Sequence, residues 1–115
     1  MKIYKWYRGG KLFRETKDPE GVLVIKEYHP NNVVITYRRS DSGILKIKIY
    51  SKNGRYHRED GPAVTYYHMD GSISRERYYH NGEFHRDGGP AVINYDKNGV
   101  MDYVLHYKKG FRISG

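Results

Sequence analysis

The chain has 115 residues, a formal net charge of +8 and no cysteine. That length accommodates one domain with a thin core, and the lack of cysteine excludes disulfide staples, thiolate metal sites and cysteine nucleophiles. With 13 tyrosines against three phenylalanines and 37% hydrophobic residues, the composition points to a sheet core of aromatic and β-branched side chains, not a leucine-rich helical one.

The first residues, MKIYKWYRGGK, lack the apolar stretch of a signal peptide. No later run approaches the roughly 20 apolar residues that cross a bilayer, so the expectation is a soluble, cytoplasmic protein. Residues 6–14, WYRGGKLFR, match YYHNGEFHR at 78–86. Residues 21–38, GVLVIKEYHPNNVVITYR, read as an extra hairpin turning at Pro30, Asn31 and Asn32. A strand is expected at 44–50, where Lys46, Lys48 and Tyr50 alternate with Leu45, Ile47 and Ile49 and project from the opposite face. The phrase YHREDGPAV at 56–64 then returns as FHRDGGPAV at 84–92, an offset of 28 without a gap. Around it, strands are expected at 63–67, 73–79, 91–95 and 101–107. No stretch holds a 3.6-residue period, so essentially no helix is expected.

The punctuation repeats at the same spacing. Ser42-Gly43, Asp70-Gly71 and Asn98-Gly99 fall mid-unit, and Asn53-Gly54, Asn81-Gly82 and Lys109-Gly110 fall near its end. Such pairs signal two-residue hairpin turns, in which both residues take positive φ. A fixed period marks a repeat architecture. The units are a partial one with an inserted strand at 1–28, then 29–56, 57–84 and 85–112, about three and a half in one domain. The unit at His29 is degenerate, with Pro30 in place of the arginine and no Gly-Pro pair. In Gly61-Pro62 and Gly89-Pro90 the proline suits the first residue of a strand, and the glycine allows a tight or unusual backbone angle. The expected fold is all-β: a single-layer, mostly antiparallel meander of β-hairpin repeats.

Aromatic residues before Asn-Gly, followed by His-Arg and Asp-Gly-Pro-Ala, resemble MORN-type hairpin repeats. The variant YxNGxxHRxDGPA is similar to repeats of phage and giant-virus proteins and of degenerate-MORN antitoxin-like proteins. The resemblance covers most of the chain, most strongly residues 50–110. It implies a meandering sheet that serves as an interaction scaffold, not an enzyme. It further implies a phage-type accessory protein that binds and sterically inhibits a host defence protein.

His29, His57 and His85 are in register. Each unit advances the sheet by two strands, about 9.6 Å, whereas metal–nitrogen bonds measure about 2 Å. These three cannot share an ion, and no metal or cofactor site is expected. The repeated His-Arg-acid set has no nucleophile motif beside it, and the glycine pairs form neither a dinucleotide nor a phosphate loop. Ion pairs of Arg58 or Arg86 with neighbouring acids account for the set, and catalysis is not expected. The functional signal is the interleaving of basic and aromatic residues. Trp6, Tyr7, Lys46, Lys48, Tyr50, Tyr66, Tyr67, Arg75, Arg77, Tyr78 and Tyr79 are the partner-contact candidates. Exposed aromatic and arginine side chains anchor interfaces, and the positive charge steers towards an acidic protein surface. The alternative is nucleic acid bound by the same basic, tyrosine-rich face. An open sheet also leaves an edge and a face for a homodimer.

Overall fold

The structure, a computed structural model, describes residues 2–18, 22–40 and 42–114. Its strands are β1 (Lys2–Arg8), β2 (Lys11–Asp18), β3 (Val22–His29), β4 (Val33–Ser40), β5 (Leu45–Lys52), β6 (Arg55–Tyr56), β7 (Val64–Tyr67), β8 (Ile73–Arg77), β9 (Tyr79–His80), β10 (Glu83–Phe84), β11 (Val92–Tyr95), β12 (Met101–Lys108) and β13 (Phe111–Ile113). A 3-10 turn at Pro30–Asn32 is the sole helical element among the described residues. It joins β3 to β4, with Asn31 at φ 64° and Asn32 at φ 60°. Gly21, the expected start of that hairpin, lies outside the described residues. No helix of the described residues is long and apolar enough to cross a membrane.

Two kinds of turn cut the chain. Gly9-Gly10, Asn53-Gly54, Asn81-Gly82 and Lys109-Gly110 have positive φ at both positions, the backbone that matches the right-handed sheet twist. The mid-unit pairs differ from expectation: only Gly43, Gly71 and Gly99 take positive φ there. Each closes a three-residue loop. His68 N–H donates to Ser72 O (2.7 Å), and Gly71 N–H donates to His68 O (3.0 Å). The same two bonds recur at Ser40/Gly43 and at Asp96/Gly99. A left-handed glycine ending such a loop leaves a bulge beside it, and the ladder slips at Arg38/Arg39, Tyr66/Tyr67 and Asn94/Tyr95.

The strands form one open antiparallel sheet in the order β1-β2-β3-β4-β5-β7-β8-β11-β12-β13, with β6 beside β5 and β9–β10 as a separate ribbon. The expected meander is present, and the molecule measures 47 × 32 × 19 Å. In each complete unit a long strand turns into a short return strand, rounds a corner, and sends a second short strand back along the first. His57 N–H donates to Tyr50 O (3.2 Å) and His85 N–H to Tyr78 O (3.0 Å). Tyr50 N–H then donates to Ala63 O (2.7 Å) and Tyr78 N–H to Ala91 O (2.8 Å). The unit at 29–56 lacks the corner, so β4 runs unbroken from Val33 to Ser40 along β3 and pairs from Val33 to Arg39 with β5.

The core sits where short strands are flanked on both sides. Ala63 and Ala91 are fully buried, with Val64, Val92 and Ile93 beside them. Gly61 and Gly89 do not take positive φ. They make room for side chains instead. A Cβ on Gly61 would lie 2.8 Å from Arg58 Cζ, and one on Gly89 would lie 2.9 Å from Arg86 Cζ.

Candidate interaction faces

Residues directly paired across antiparallel strands share a face. One face therefore carries a continuous row: Lys17, Val24, Arg38, Ile47, Tyr66, Arg75, Asn94 and Tyr103. The adjacent row on the same face runs Glu15, Lys26, Thr36, Ile49, Val64, Arg77, Val92 and Leu105. Five cations and one carboxylate thus stand in these two rows, and the carboxylate, Glu15, is buried between Lys17 (3.2 Å) and its β1 partner Lys5 (3.8 Å), a sixth cation on this face. Arg38, Arg75 and Tyr103 are exposed, and the Arg75 guanidinium lies 5.6 Å from the Tyr66 ring centre. Arg77 is held within the sheet. Its Nη1 donates to Glu76 O and Ile93 O (both 3.0 Å) and its Nη2 to Asn94 Oδ1 (2.8 Å). Beside the row, a shallow groove of about 550 Å³ gathers Lys46, Ile47, Tyr66, Tyr67 and Met69.

The opposite face holds Thr16, Ile25, Tyr37, Lys48, Thr65, Glu76, Ile93 and Val104 in its matching row. The eleven contact candidates therefore do not share one surface. Lys48 lies 5.5 Å from the Tyr37 ring centre and 5.1 Å from that of Tyr50, and hydrogen bonding to Tyr50 raises its ammonium pKa. Tyr50 is also covered by Arg58 (4.1 Å), and Tyr78 by Arg86 (4.0 Å). Arg58 Nη1 donates to Pro62 O (3.4 Å) and Arg86 Nη1 to Pro90 O (3.2 Å). Each corner is thus a tyrosine–guanidinium–glycine sandwich locked onto the proline carbonyl. Arg58 also donates to Asp60 Oδ1 at 2.9 Å, holding that carboxyl below its usual range. Tyr79 meets Tyr56 edge to face (5.2 Å) and stacks on Phe84 (4.5 Å), and burial raises its phenol pKa. Trp6 and Tyr7 remain exposed on the outermost strand, with Arg14 5.0 Å from the Trp6 ring centre.

His57, Glu59 and His80 place one ligand atom each within 4.8 Å of one another. The sequence did not pair His80 with His57, because the contact spans two turns of the meander. The hydrogen bonding decides the chemistry of this cluster. Asn81 N–H donates to His57 Nδ1 at 3.0 Å, and Lys109 N–H donates to His85 Nδ1 at 3.0 Å. An Nδ1 that accepts carries no proton, so the neutral ring bears its proton on Nε2. Metal-binding imidazoles instead donate from the nitrogen that does not bind, and ligation through His57 Nε2 would require an imidazolate. His57 Nε2 is buried 3.4 Å from Glu59 Oε1 but is not aligned on it as a hydrogen bond.

On the second face, Tyr95 Oη donates to Glu76 Oε1. Burial, then this bond, push the Tyr95 phenol up to about 12. Compared with known proteins, the chain matches no family model, no curated protein and no solved structure.

Proposed function

We propose that the chain is a non-enzymatic binding module that takes an acidic protein partner on the face bearing Lys17, Arg38, Tyr66, Arg75 and Tyr103. The row across eight strands, in which these basic and aromatic residues are interleaved with Val24, Ile47 and Asn94, carries this reading. Surface area supports it. The accessible surface is 7833 Å², against roughly 6,600 Å² for a compact chain of this mass. The excess is larger than the roughly 800 Å² that one partner buries in a protein–protein interface of ordinary size. Taken with the MORN-like, phage-type repeat phrase, the reading extends to an accessory protein that blocks a host protein sterically in the cytoplasm.

A nucleic-acid partner is the second reading. Tyr66 and Tyr103 stand three strands apart, with Arg75 and Asn94 on the two strands between them, an arrangement able to stack bases and meet phosphates. Affinity capture from a host lysate, with wild type and with an Arg38→Glu/Arg75→Glu variant, tests the first reading. A protein retained by wild type and by a Trp6→Ala control, but lost by the charge-reversed chain, is the expected result. Equal capture by all three removes this face from the proposal. Labelled single- and double-stranded DNA and RNA at two salt concentrations test the second. Tight binding with a steep salt slope would put nucleic acid first.

A further inference from the structure

The shallow groove beside the basic row lies in the middle of the sheet, among β4, β5, β7 and β8, and comparison of the repeats shows why it is open. One unit later, the His68 side chain reaches across the corresponding place and its Nε2 donates to Tyr95 O at 3.2 Å. A step of 28 backwards carries His68 to Ser40 and Tyr95 to Tyr67. Serine is too short to make that reach. Its Oγ is engaged within its own loop instead, with Ser42 Oγ (2.8 Å) and Ile44 N–H (3.2 Å). The space that an imidazole takes beside Tyr95 therefore stays open beside Tyr67. It is a groove of about 550 Å³ lined by Ile44, Ile47, Tyr66 and Tyr67 together with the exposed Lys46 and Met69.

Ile47 and Tyr66 are also the middle members of the cross-strand row Arg38, Ile47, Tyr66 and Arg75. The groove thus has an exposed arginine on either side of it. Asp70, on the loop beside Met69, is turned away from both. Its Oδ1 accepts from Ser72 N–H (2.9 Å) and Ser72 Oγ (2.6 Å). Arg38 and Arg75 stand three strands apart, about 14 Å at the usual strand spacing. An extended peptide rises about 3.3 Å per residue and sends alternate side chains to one face. Its residues i and i+4 are therefore about 13 Å apart, with residue i+2 pointing the same way between them.

We infer that this groove takes an aromatic side chain of the acidic partner, presented on an extended acid-x-aromatic-x-acid segment that crosses β4, β5, β7 and β8. The inference rests on the basic face being the partner surface and specifies what that face reads. The two carboxylates meet Arg38 and Arg75. The ring enters the place that His68 fills one unit on, which is why the central side chain is ring-sized. Lys46 at the groove adds to the preference for acidic flanks.

A labelled peptide Ser-Glu-Thr-Phe-Thr-Glu-Ser, blocked at both ends and titrated into the whole protein, tests this. Saturable binding is expected. The same peptide with alanine for phenylalanine, and the reordered peptide Ser-Phe-Glu-Glu-Thr-Thr-Ser, should each bind at least about tenfold more weakly, the effect of losing one buried aromatic contact or its register. Ser40→His copies His68 and should lower the affinity for the first peptide to that of the alanine peptide, whereas Trp6→Ala should change nothing. The comparison of the three peptides on the unaltered chain stands even if Ser40→His fails to fold. Equal binding of all three, or no binding at millimolar peptide, overturns the proposal. If capture of a host protein still depends on Arg38 and Arg75, such a result removes the groove alone and leaves the basic-face reading standing. Single-stranded DNA that binds more tightly than the first peptide and is weakened by Ser40→His would give the groove to a nucleobase, and would also overturn the proposal.

Discussion

Gly61 and Gly89 show how a single residue type can mislead at the level of φ and still be required. Their role is to let a guanidinium lie flat between a tyrosine ring and the backbone. Gly61→Ala should displace Arg58 from Tyr50 and cost about 1 kcal/mol, the scale of one partly exposed cation–π contact. In an Arg58→Ala background the same change should cost almost nothing, because the clash has gone. Urea midpoints of the four proteins close this double-mutant cycle, and additive losses would refute the sandwich. Tyr95 makes a pH prediction. Its folded pKa, about 12, exceeds the unfolded value of about 10, so the neutral phenol is the form that folding favours. The stability it contributes is complete below pH 10 and is lost as pH rises towards 12. The stability difference between wild type and Tyr95→Phe should therefore stay level up to pH 10 and then shrink. A difference that holds to pH 12 would contradict the burial and the bond to Glu76.

At the scale of elements, the end-of-unit turns hold the meander together. Gly82 N–H donates to Tyr56 O (2.8 Å) and Gly110 N–H to Phe84 O (2.9 Å), so each turn hangs on the aromatic residue of the unit before. Lys109 occupies a left-handed position, φ 50°, that Asn53 and Asn81 fill in the other units. The several-fold preference of asparagine for that region corresponds to about 0.5–1 kcal/mol. Lys109→Asn keeps the N–H that His85 Nδ1 accepts, so it should stabilise the protein by that amount in thermal or urea unfolding. No gain would mean that the terminal hairpin frays before the sheet unfolds.

For the whole molecule, the decisive feature is that the open main sheet, with the β9–β10 ribbon beside it, presents two faces. The polar and charged side chains of each row become either partners of a neighbouring strand or surface for another molecule. Arg77 and Lys48 belong to the first group, and Arg38 and Arg75 remain exposed for the second. If the basic row meets an acidic partner, retention of the captured protein should fall as ionic strength rises.

The repeat spacing, the absence of α-helix among the described residues and the positions of both turn families were legible in the sequence, because glycine beside asparagine or aspartate favours positive φ locally. The alternation along each strand was legible too. Ile47 and Ile49 do oppose Lys48 and Tyr50, whereas the slip at Arg38/Arg39 pairs Leu45 with Arg39, on the side of Tyr37 and Lys48. Which strands bring their faces together was not. Register depends on bulges beside Gly43, Gly71 and Gly99, and these put Arg75 with Ile47 instead of Lys48. The guanidinium sandwiches and the His57–His80 contact likewise arise between segments more than one turn apart. Local propensity fixes where a chain of this kind bends. Only the pairing of its strands fixes which side chains meet, because a slip of one residue carries every side chain to the other face.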